Sequence, residues 1–151
     1  MVFLDLAKAF DKVPHKRLLE KLKKHDISGN ILNVIEDWLK DRRQRVCIKG
    51  RWSGWIRVWS GVPQGSGLGP VLFLMFINDL DQGIASNILK FADDTKIFKE
   101  VRDNTDSEAL QRDLDNVVRG LRNGKWNLTL KSKVMHIGRQ IDCCITCKEA
   151  S

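Results

Sequence analysis

The sequence has no long hydrophobic run, and this lack excludes several classes of protein. The longest apolar stretch is Val71–Ile77, far shorter than the roughly 20 residues that a membrane-spanning helix needs. The segment Met1–Asp5 has no basic region ahead of an apolar core, so it does not form a secretory signal. We therefore expect an intracellular protein of the cytoplasm or nucleus that is neither secreted nor embedded in a membrane.

Cysteine is also scarce, and the four cysteines do not form the disulfide framework of a small secreted protein. Cys47 is isolated in a strand-like segment. Cys143, Cys144 and Cys147 lie near the end of the chain, and the last two have the C-x-x-C spacing of a zinc knuckle. A structural zinc site usually needs four ligands, and a second pair is missing. We therefore interpret the cysteines as free thiols.

The composition is that of one soluble domain with a basic surface. The chain has 151 residues, of which 42% are hydrophobic, and a net charge of +7, which favours a polyanionic partner. Basic clusters lie close to Trp52, Trp55 and Trp59. Aromatic rings beside arginines suit the stacking of nucleic acid bases. Tryptophan is nevertheless mostly buried in proteins, so we assign these three rings to the hydrophobic core.

Two adjacent acids, Asp93 and Asp94, lie between the apolar segments Asn87–Leu89 and Lys96–Phe98. Acids are poor strand residues and good turn residues, so this pattern predicts a strand, a tight turn and a second strand. Acids in such turns are often simply solvated. Two carboxylates held this close repel each other, however, and stay ionised together most easily around a divalent cation. Asp5 ends an upstream strand, and the three acids meet at one sheet edge if that strand pairs beside the hairpin.

The segment Ser60–Pro70 contains four glycines and two prolines, which excludes regular structure there. It lacks the spacing of a Walker loop or a dinucleotide fingerprint. Its glycines permit close approach of a nucleotide, which Gln64 can hydrogen-bond, although an ordinary strand-to-helix connection accounts for it equally well. Three carboxylates of this kind favour Mg²⁺, with Mn²⁺ as a substitute, and in-line phosphoryl transfer, for which a phosphohydrolase or nuclease is one candidate class of enzyme.

The apolar periodicity predicts the order β-α-α-β-β-α-β-β-α-β. This order indicates an α+β fold in which an antiparallel sheet carries helices packed on one face. The helix at 71–80 is apolar nearly all round, so we expect it to be central. The other predicted elements are a strand at 1–5, helices that begin after Pro14 and Ser28, strands at 45–49 and 55–59 with a turn at 50–54, a helix through Leu110–Leu121 that Asn123–Gly124 terminates, and one or two strands within 126–137.

Three segments resemble motifs of one family in their order along the chain. Phe3–Asp11, Ser60–Ser66 and Phe91–Asp94 are similar to the catalytic motifs of reverse transcriptases, most closely those of LINE-type non-LTR retrotransposons. The resemblance implies a polymerase palm. It also implies that residues 1–138 form a partial reverse transcriptase domain, lacking fingers and thumb, and that 139–151 form a non-homologous tail, which we expect to be disordered.

The resemblance also implies the partners and the roles of individual residues. The reaction is RNA-directed DNA synthesis at a primer 3′-hydroxyl, with an RNA template, a DNA primer and dNTPs as partners. Lys133 is a candidate residue on the pyrophosphate side. The catalytic acids and ligands of two Mg²⁺ ions are Asp5, Asp93 and Asp94, with the Leu6 carbonyl as a further ligand, and the nucleotide pocket is formed by Phe10 as the steric gate against ribose, Gln64 and Gly65.

Two interpretations of activity stay open. The chain is either an RNA-directed DNA polymerase domain with an intact metal site or a catalytically inactive retroelement remnant that retains nucleic-acid binding. The family's fingers, which hold the triphosphate, precede the first motif, and the segment after Trp126 is shorter than is usual. We therefore expect this chain to be inactive on its own, because catalysis requires the triphosphate to be held and aligned.

Overall fold

The computed structural model describes residues 1–122, 129–137 and Ile145. Its elements are β1 (Val2–Ala7), α1 (His15–Lys24), α2 (Gly29–Leu39), β2 (Arg43–Gln44), β3 (Cys47–Ile48), β4 (Arg51–Trp52), β5 (Ile56–Arg57), α3 (Leu68–Ile77), β6 (Asn87–Phe91), β7 (Asp94–Phe98), α4 (Asn104–Arg122) and β8 (Thr129–Val134), with short 3-10 helices at Phe10–Lys12 and Asn78–Asp81. The predicted mixture of helices and strands is confirmed. In the described part of the chain, no helix is long and apolar enough to cross a membrane.

Several predictions concern residues outside the described part of the chain. They are the helix end at Asn123–Gly124, the strand start near Trp126, the three C-terminal cysteines, and the tail 139–151 apart from Ile145. The division near residue 138 between a polymerase-like region and a tail therefore stays a prediction.

Four strands form an antiparallel sheet in the order β6-β7-β1-β8. The strand β1 lies between β7 and β8, with Val2 opposite Ile97 on one side and Val134 on the other. Val2 and Leu4 of β1 are buried, whereas Asp5 is exposed. Side chains alternate between the faces of a strand, so one face of this sheet belongs to the core and the other is open.

The chain divides into two compact units. The first unit comprises 1–9 and 76–151 and contains the four-stranded sheet and α4. The helix α4 contacts β8, and its predicted apolar stripe is buried at Leu110, Leu114, Val117 and Leu121. A helix of this period shows its apolar side chains on one face, which is the face that joins the core.

The second unit comprises 10–75 and contains α1, α2, the short strands and most of α3. The helix α1 begins directly after Pro14, as predicted, and contacts α2. Ser28 precedes α2, also as predicted, although its side chain makes no capping hydrogen bond. Both helices bury leucines at helical spacing: Leu18, Leu22, Leu32 and Leu39.

The helix α3 differs from the prediction in position and exposure. It spans Leu68–Ile77 rather than 71–80, so Pro70 lies within the first turn, where a helix has no use for its missing N–H. Only one side of α3 is buried, since Phe73 is fully covered while Val71 is 50% and Leu74 is 49% exposed. The expectation of a central helix is therefore wrong for its outer face.

The hairpin at 43–57 corrects two further expectations. Its turn is the two-residue Lys49–Gly50, with φ of 48° and 77°, because positive φ at both positions matches the twist of a tight hairpin. Every residue from 43 to 57 is exposed. The assignment of the tryptophans to the core is wrong: Trp52, Trp55 and Trp59 are 58%, 59% and 75% exposed, because paired strands of two residues make no sheet face that buries them.

Candidate active site

The register of β1 against β7 brings two of the predicted acids together. Asp5 lies directly opposite Asp94, and directly opposed residues of an antiparallel pair show their side chains on the same face, with Cβ atoms about 5 Å apart. The Leu6 N–H donates a hydrogen bond of 3.4 Å to the Asp93 carbonyl oxygen. The backbone of the third acid therefore lies beside the residue that follows Asp5.

A two-residue turn, Ala92–Asp93, joins β6 to β7. Ala92 has φ of 51°, the left-handed conformation that hairpin turns require and that costs a residue with a Cβ about 1 kcal/mol. A slip of one residue would move Asp94 to the opposite face of the sheet. The turn therefore fixes which face presents the carboxylate of Asp94.

The donor set suits a hard divalent cation. Asp5 and Asp94 are exposed, so both carboxylates stay solvated and available. The Leu6 carbonyl oxygen accepts the Ala9 N–H at 3.1 Å and retains a second lone pair. Oxygen ligands of this kind are those that magnesium and manganese prefer. Within residues 1–122 and 129–137, no three His, Cys, Asp or Glu side chains already form a metal-binding cluster.

Lysines surround the acid pair on the open face of the sheet. Lys131 of β8 lies directly opposite Asp5, whereas Lys133 lies opposite Phe3. On the other side of Phe3, the Lys96 ammonium is 5.2 Å from the centre of the phenyl ring. These residues line a cavity of about 750 Å³ together with Asp5 and Asp94. An anionic ligand at the acids would therefore meet positive charge from two strands.

The sequence indicated Lys133 but not Lys131 as a functional residue. The structure places both on the open face, and Lys131 is the lysine paired with Asp5. The signal was present as the alternating pattern Lys131-Ser132-Lys133, which puts the two lysines on one face of a strand. Choosing between them needed the register of β8 against β1.

The nucleotide-pocket residues named from the sequence belong to the second unit. Phe10 lies in the 3-10 helix after β1, and its ring stacks on Phe73 with centroids 4.5 Å apart and planes at 22°. Phe73 is fully buried, so the Phe10 ring packs against a side chain of the core. Gln64 donates a long hydrogen bond of 3.5 Å to a carboxylate oxygen of Asp11. Gly65 has φ of 79° and open space around its Cα.

The glycine-rich loop is attached to the segment that carries Phe10. The Val62 N–H donates to the Phe10 carbonyl oxygen, and the Gly61 N–H donates to that of Val13, each at 2.8 Å. The Gly61 carbonyl oxygen accepts from His15 Nε2 and Arg42 Nη1, also at 2.8 Å. Burial lowers the pKa of Arg42, and the Asp11 carboxylate acts against that shift. The second unit therefore holds the Phe10–Asp11 end of the first motif and the second motif, Ser60–Ser66, together.

Comparison with known proteins agrees with these motifs. The family described as "Reverse transcriptase (RNA-dependent DNA polymerase)" matches residues 1–142. A probable RNA-directed DNA polymerase from transposon BS of Drosophila melanogaster is 40% identical over 79 residues, which are 52% of this chain and 9% of the relative. The RNA-directed DNA polymerase from mobile element jockey of Drosophila funebris is 33% identical over 141 residues, 86% of this chain and 15% of the relative.

A third relative extends the comparison to another insect. The retrovirus-related Pol polyprotein from type-1 retrotransposable element R2 of Nasonia vitripennis is 32% identical over 136 residues, which are 80% of this chain and 12% of the relative. The chain therefore spans 9% to 15% of the length of these three proteins. With the family match across nearly the whole sequence and the motifs in their expected order, the chain belongs to the reverse transcriptase family, and its relatives are those of LINE-type non-LTR retrotransposons.

Proposed function

We propose that this chain is the catalytic palm region of an RNA-directed DNA polymerase that extends a primer 3′-hydroxyl with dNTPs on an RNA template. The pairing of Asp5 with Asp94 beside Asp93 carries the proposal, because it assembles carboxylates from two distant motifs on one open sheet face. The family generally uses divalent metal ions and binds template and primer. We assign Mg²⁺ as the ion.

In this proposal, Asp5, Asp93 and Asp94 hold two Mg²⁺ ions, with the Leu6 carbonyl as a further ligand. When bound, the ions lower the pKa of the primer hydroxyl and neutralise the triphosphate charge. The carboxylates would position the ions and, through them, the primer hydroxyl and the triphosphate. The lysines that flank them, Lys131 and Lys133, offer positive charge to the departing pyrophosphate.

The second unit would supply the selection of the nucleotide. Phe10 is the proposed steric gate against a ribose 2′-hydroxyl, and its stacking on the buried Phe73 limits how far the ring can move aside. Gln64 and Gly65 are the proposed contacts to the incoming nucleotide and its template base. The long hydrogen bond from Gln64 to Asp11 is weak enough to exchange for a bond to a ligand.

Primer extension tests the proposal. The chain is incubated with an RNA template, a DNA primer, dNTPs and MgCl₂, and any extension that it supports should fall by at least about 100-fold in Asp94→Asn or Asp5→Asn, the order of loss that follows removal of a group that stabilises the transition state. Asp26→Asn is the matched control, since Asp26 is exposed and has φ of 61°, which asparagine tolerates. Equal extension by wild type and Asp94→Asn would show that the site is misassigned.

A second measurement tests metal binding independently of DNA synthesis. Titration with Mn²⁺, followed by the relaxation of water protons, reports ion binding whether or not the chain synthesises DNA. We expect Asp5→Asn and Asp94→Asn each to weaken the binding of Mn²⁺, and Asp26→Asn to leave it unchanged. Ion binding and RNA binding without any synthesis would instead support the interpretation as an inactive remnant.

A further inference from the structure

The exposed hairpin at 43–57 contains a bulge that brings two tryptophans to one arginine. Gln44 pairs with Ile56, and Cys47 pairs with Trp52, so Arg45–Val46 faces the longer segment Ser53–Trp55. The Val46 N–H donates to Ser53 Oγ, and the Ser53 N–H donates to the Val46 carbonyl oxygen, each at 2.9 Å. An additional residue in one strand bends and twists it, which brings Trp52 and Trp55 to the same neighbour across the hairpin.

That neighbour is Arg45. Its guanidinium carbon lies 3.9 Å from the ring centre of Trp52 and 4.4 Å from that of Trp55. Contacts this short allow cation–π attraction to both rings. The two rings are still 58% and 59% exposed, so the surfaces that do not meet Arg45 face solvent. The arginine therefore orders two aromatic surfaces and leaves them open to a ligand.

Charge on the hairpin identifies the kind of ligand. Residues 42–59 contain five arginines, one lysine and no acidic residue. Next to Trp52 lies a cavity of about 690 Å³ whose lining includes Lys49 and Arg51 as well as Val46 and Ile48. Open aromatic faces with cations and apolar side chains beside them suit a polyanion that also presents flat rings.

We propose that this hairpin binds single-stranded nucleic acid by stacking unpaired bases on Trp52 and Trp55, while Arg43, Arg45, Lys49 and Arg51 contact phosphates. A duplex is a weaker fit, because its bases are already stacked on each other and present only edges and phosphates. The tryptophans lose little rotamer entropy on binding, since Arg45 already holds them. The proposal rests on the proposed function only in that the unpaired strand is the template; binding itself does not require catalysis.

Fluorescence anisotropy on the whole chain tests the proposal. The probe is a labelled single-stranded RNA of about 12 nucleotides, within the site sizes known for stacking proteins, and the comparison is the same RNA paired with its complement. We expect Trp52→Leu and Trp55→Leu each to weaken single-strand binding about tenfold, as the loss of one stacked base does. Duplex binding should change less than about twofold, because phosphate contacts remain.

Two variants sharpen the test. Trp38→Leu on α2 is the matched control for the loss of a tryptophan and should bind like wild type. Arg45→Lys keeps the charge but loses the planar group that orders both rings, so it should weaken single-strand binding several-fold without altering its salt dependence. Binding is measured in EDTA without dNTPs, so a failure of the polymerase assignment leaves this result intact.

Three outcomes would overturn the proposal. One is unchanged single-strand binding in both tryptophan variants, with circular dichroism showing that they are folded. The second is an equal loss of affinity for single-stranded and duplex RNA in the tryptophan variants, which would show that the hairpin binds nucleic acid through its charge alone. The third is binding to vesicles of anionic phospholipid without any binding to the RNA, because tryptophan and basic residues also suit a membrane surface.

Discussion

Gly61 is a strongly constrained residue of the second unit. Its N–H and carbonyl groups take part in three hydrogen bonds, to Val13, His15 and Arg42. Its φ of 88° lies in the region that favours glycine, and a Cβ built there would come within 2.7 Å of the Asp11 backbone. Both the conformation and the close approach of two backbones therefore exclude a side chain at this position.

We predict that Gly61→Ala destabilises the protein by about 2–4 kcal/mol, the combined cost of a left-handed alanine and of overpacking against backbone. Urea denaturation followed by circular dichroism measures this change. Gly67→Ala is the control in the same loop, since a Cβ there meets no atom within 4 Å, and it should change the free energy of unfolding by less than about 0.5 kcal/mol. Equal effects of the two substitutions would contradict the steric argument.

Side-chain chemistry explains why some site residues were evident from the sequence and others were not. Adjacent acids between apolar segments are unfavourable in a strand, so a hairpin turn near these acids followed from composition alone, although the turn residues are Ala92–Asp93 and Asp94 begins β7. The pairing of Asp5 with Lys131 did not, because it depends on the register of a distant strand. The exposure of Trp52 and Trp55 runs against the average behaviour of tryptophan, because the bulge leaves paired strands of only two residues on either side of it.

At the scale of the element, α4 begins with a network of capping bonds. Asp103 Oδ1 accepts the Asp106 N–H at 2.9 Å, and Asp106 Oδ2 accepts the Arg102 N–H at 3.1 Å. The Lys99 ammonium lies 3.1 Å from the other oxygen of Asp106. The Arg102 N–H bond, followed by the Lys99 bond, lowers the pKa of Asp106 below its ordinary value of 3.8. These bonds satisfy donors that a helix start leaves unpaired.

This lowered pKa predicts how the stability gained from Asp106 depends on pH. A carboxylate with a depressed pKa in the folded state stabilises the fold fully above its ordinary pKa, and the stabilisation is lost as pH falls through the folded value. We expect the Tm difference between wild type and Asp106→Asn to be largest near pH 6 and to shrink as the pH falls below 3.8. Glu108→Gln, at another exposed carboxylate of α4, corrects for the loss of one negative charge. A Tm difference for Asp106→Asn that does not change with pH would contradict the assignment.

Elements with strong periodicity were predicted well, and short ones were not. The stripe of Leu110, Leu114, Val117 and Leu121 located α4, and Pro14 located the start of α1. The hairpin at 43–57 was predicted as two strands with a five-residue turn, but it has a two-residue turn and a bulge. Alternation of apolar residues indicates a strand but does not reveal where an additional residue interrupts the pairing.

At the scale of the whole molecule, strand order is what the sequence could not supply. The order β6-β7-β1-β8 places the first strand of the chain at the centre of the sheet, between strands that follow it by about 90 residues or more. The alternation within each strand predicts which of its faces is buried, but many strand orders are consistent with the same alternation. The motifs supplied one constraint on the strand order, because the acids of the first and third motifs must lie close together if they bind the same metal ions.

The net charge of +7 predicts that nucleic-acid binding by the whole chain weakens with salt. Each phosphate contact with a single strand contributes about −0.7 to the slope of log affinity against log salt, so four contacts predict a loss of about 50-fold between roughly 50 and 200 mM KCl. The four contacts are Arg43, Arg45, Lys49 and Arg51. Anisotropy titrations with the single-stranded RNA at several KCl concentrations measure the slope.

Two double variants distinguish a local surface from the total charge of the molecule. Arg43→Gln with Arg51→Gln should halve the salt slope, because two of four phosphate contacts are lost. Lys23→Gln with Lys24→Gln, at exposed residues of α1, lowers the net charge by the same amount and should leave the slope near that of wild type. If both double variants lowered the slope equally, binding would depend on the total charge of the molecule, and the hairpin would not be a specific binding site for the strand.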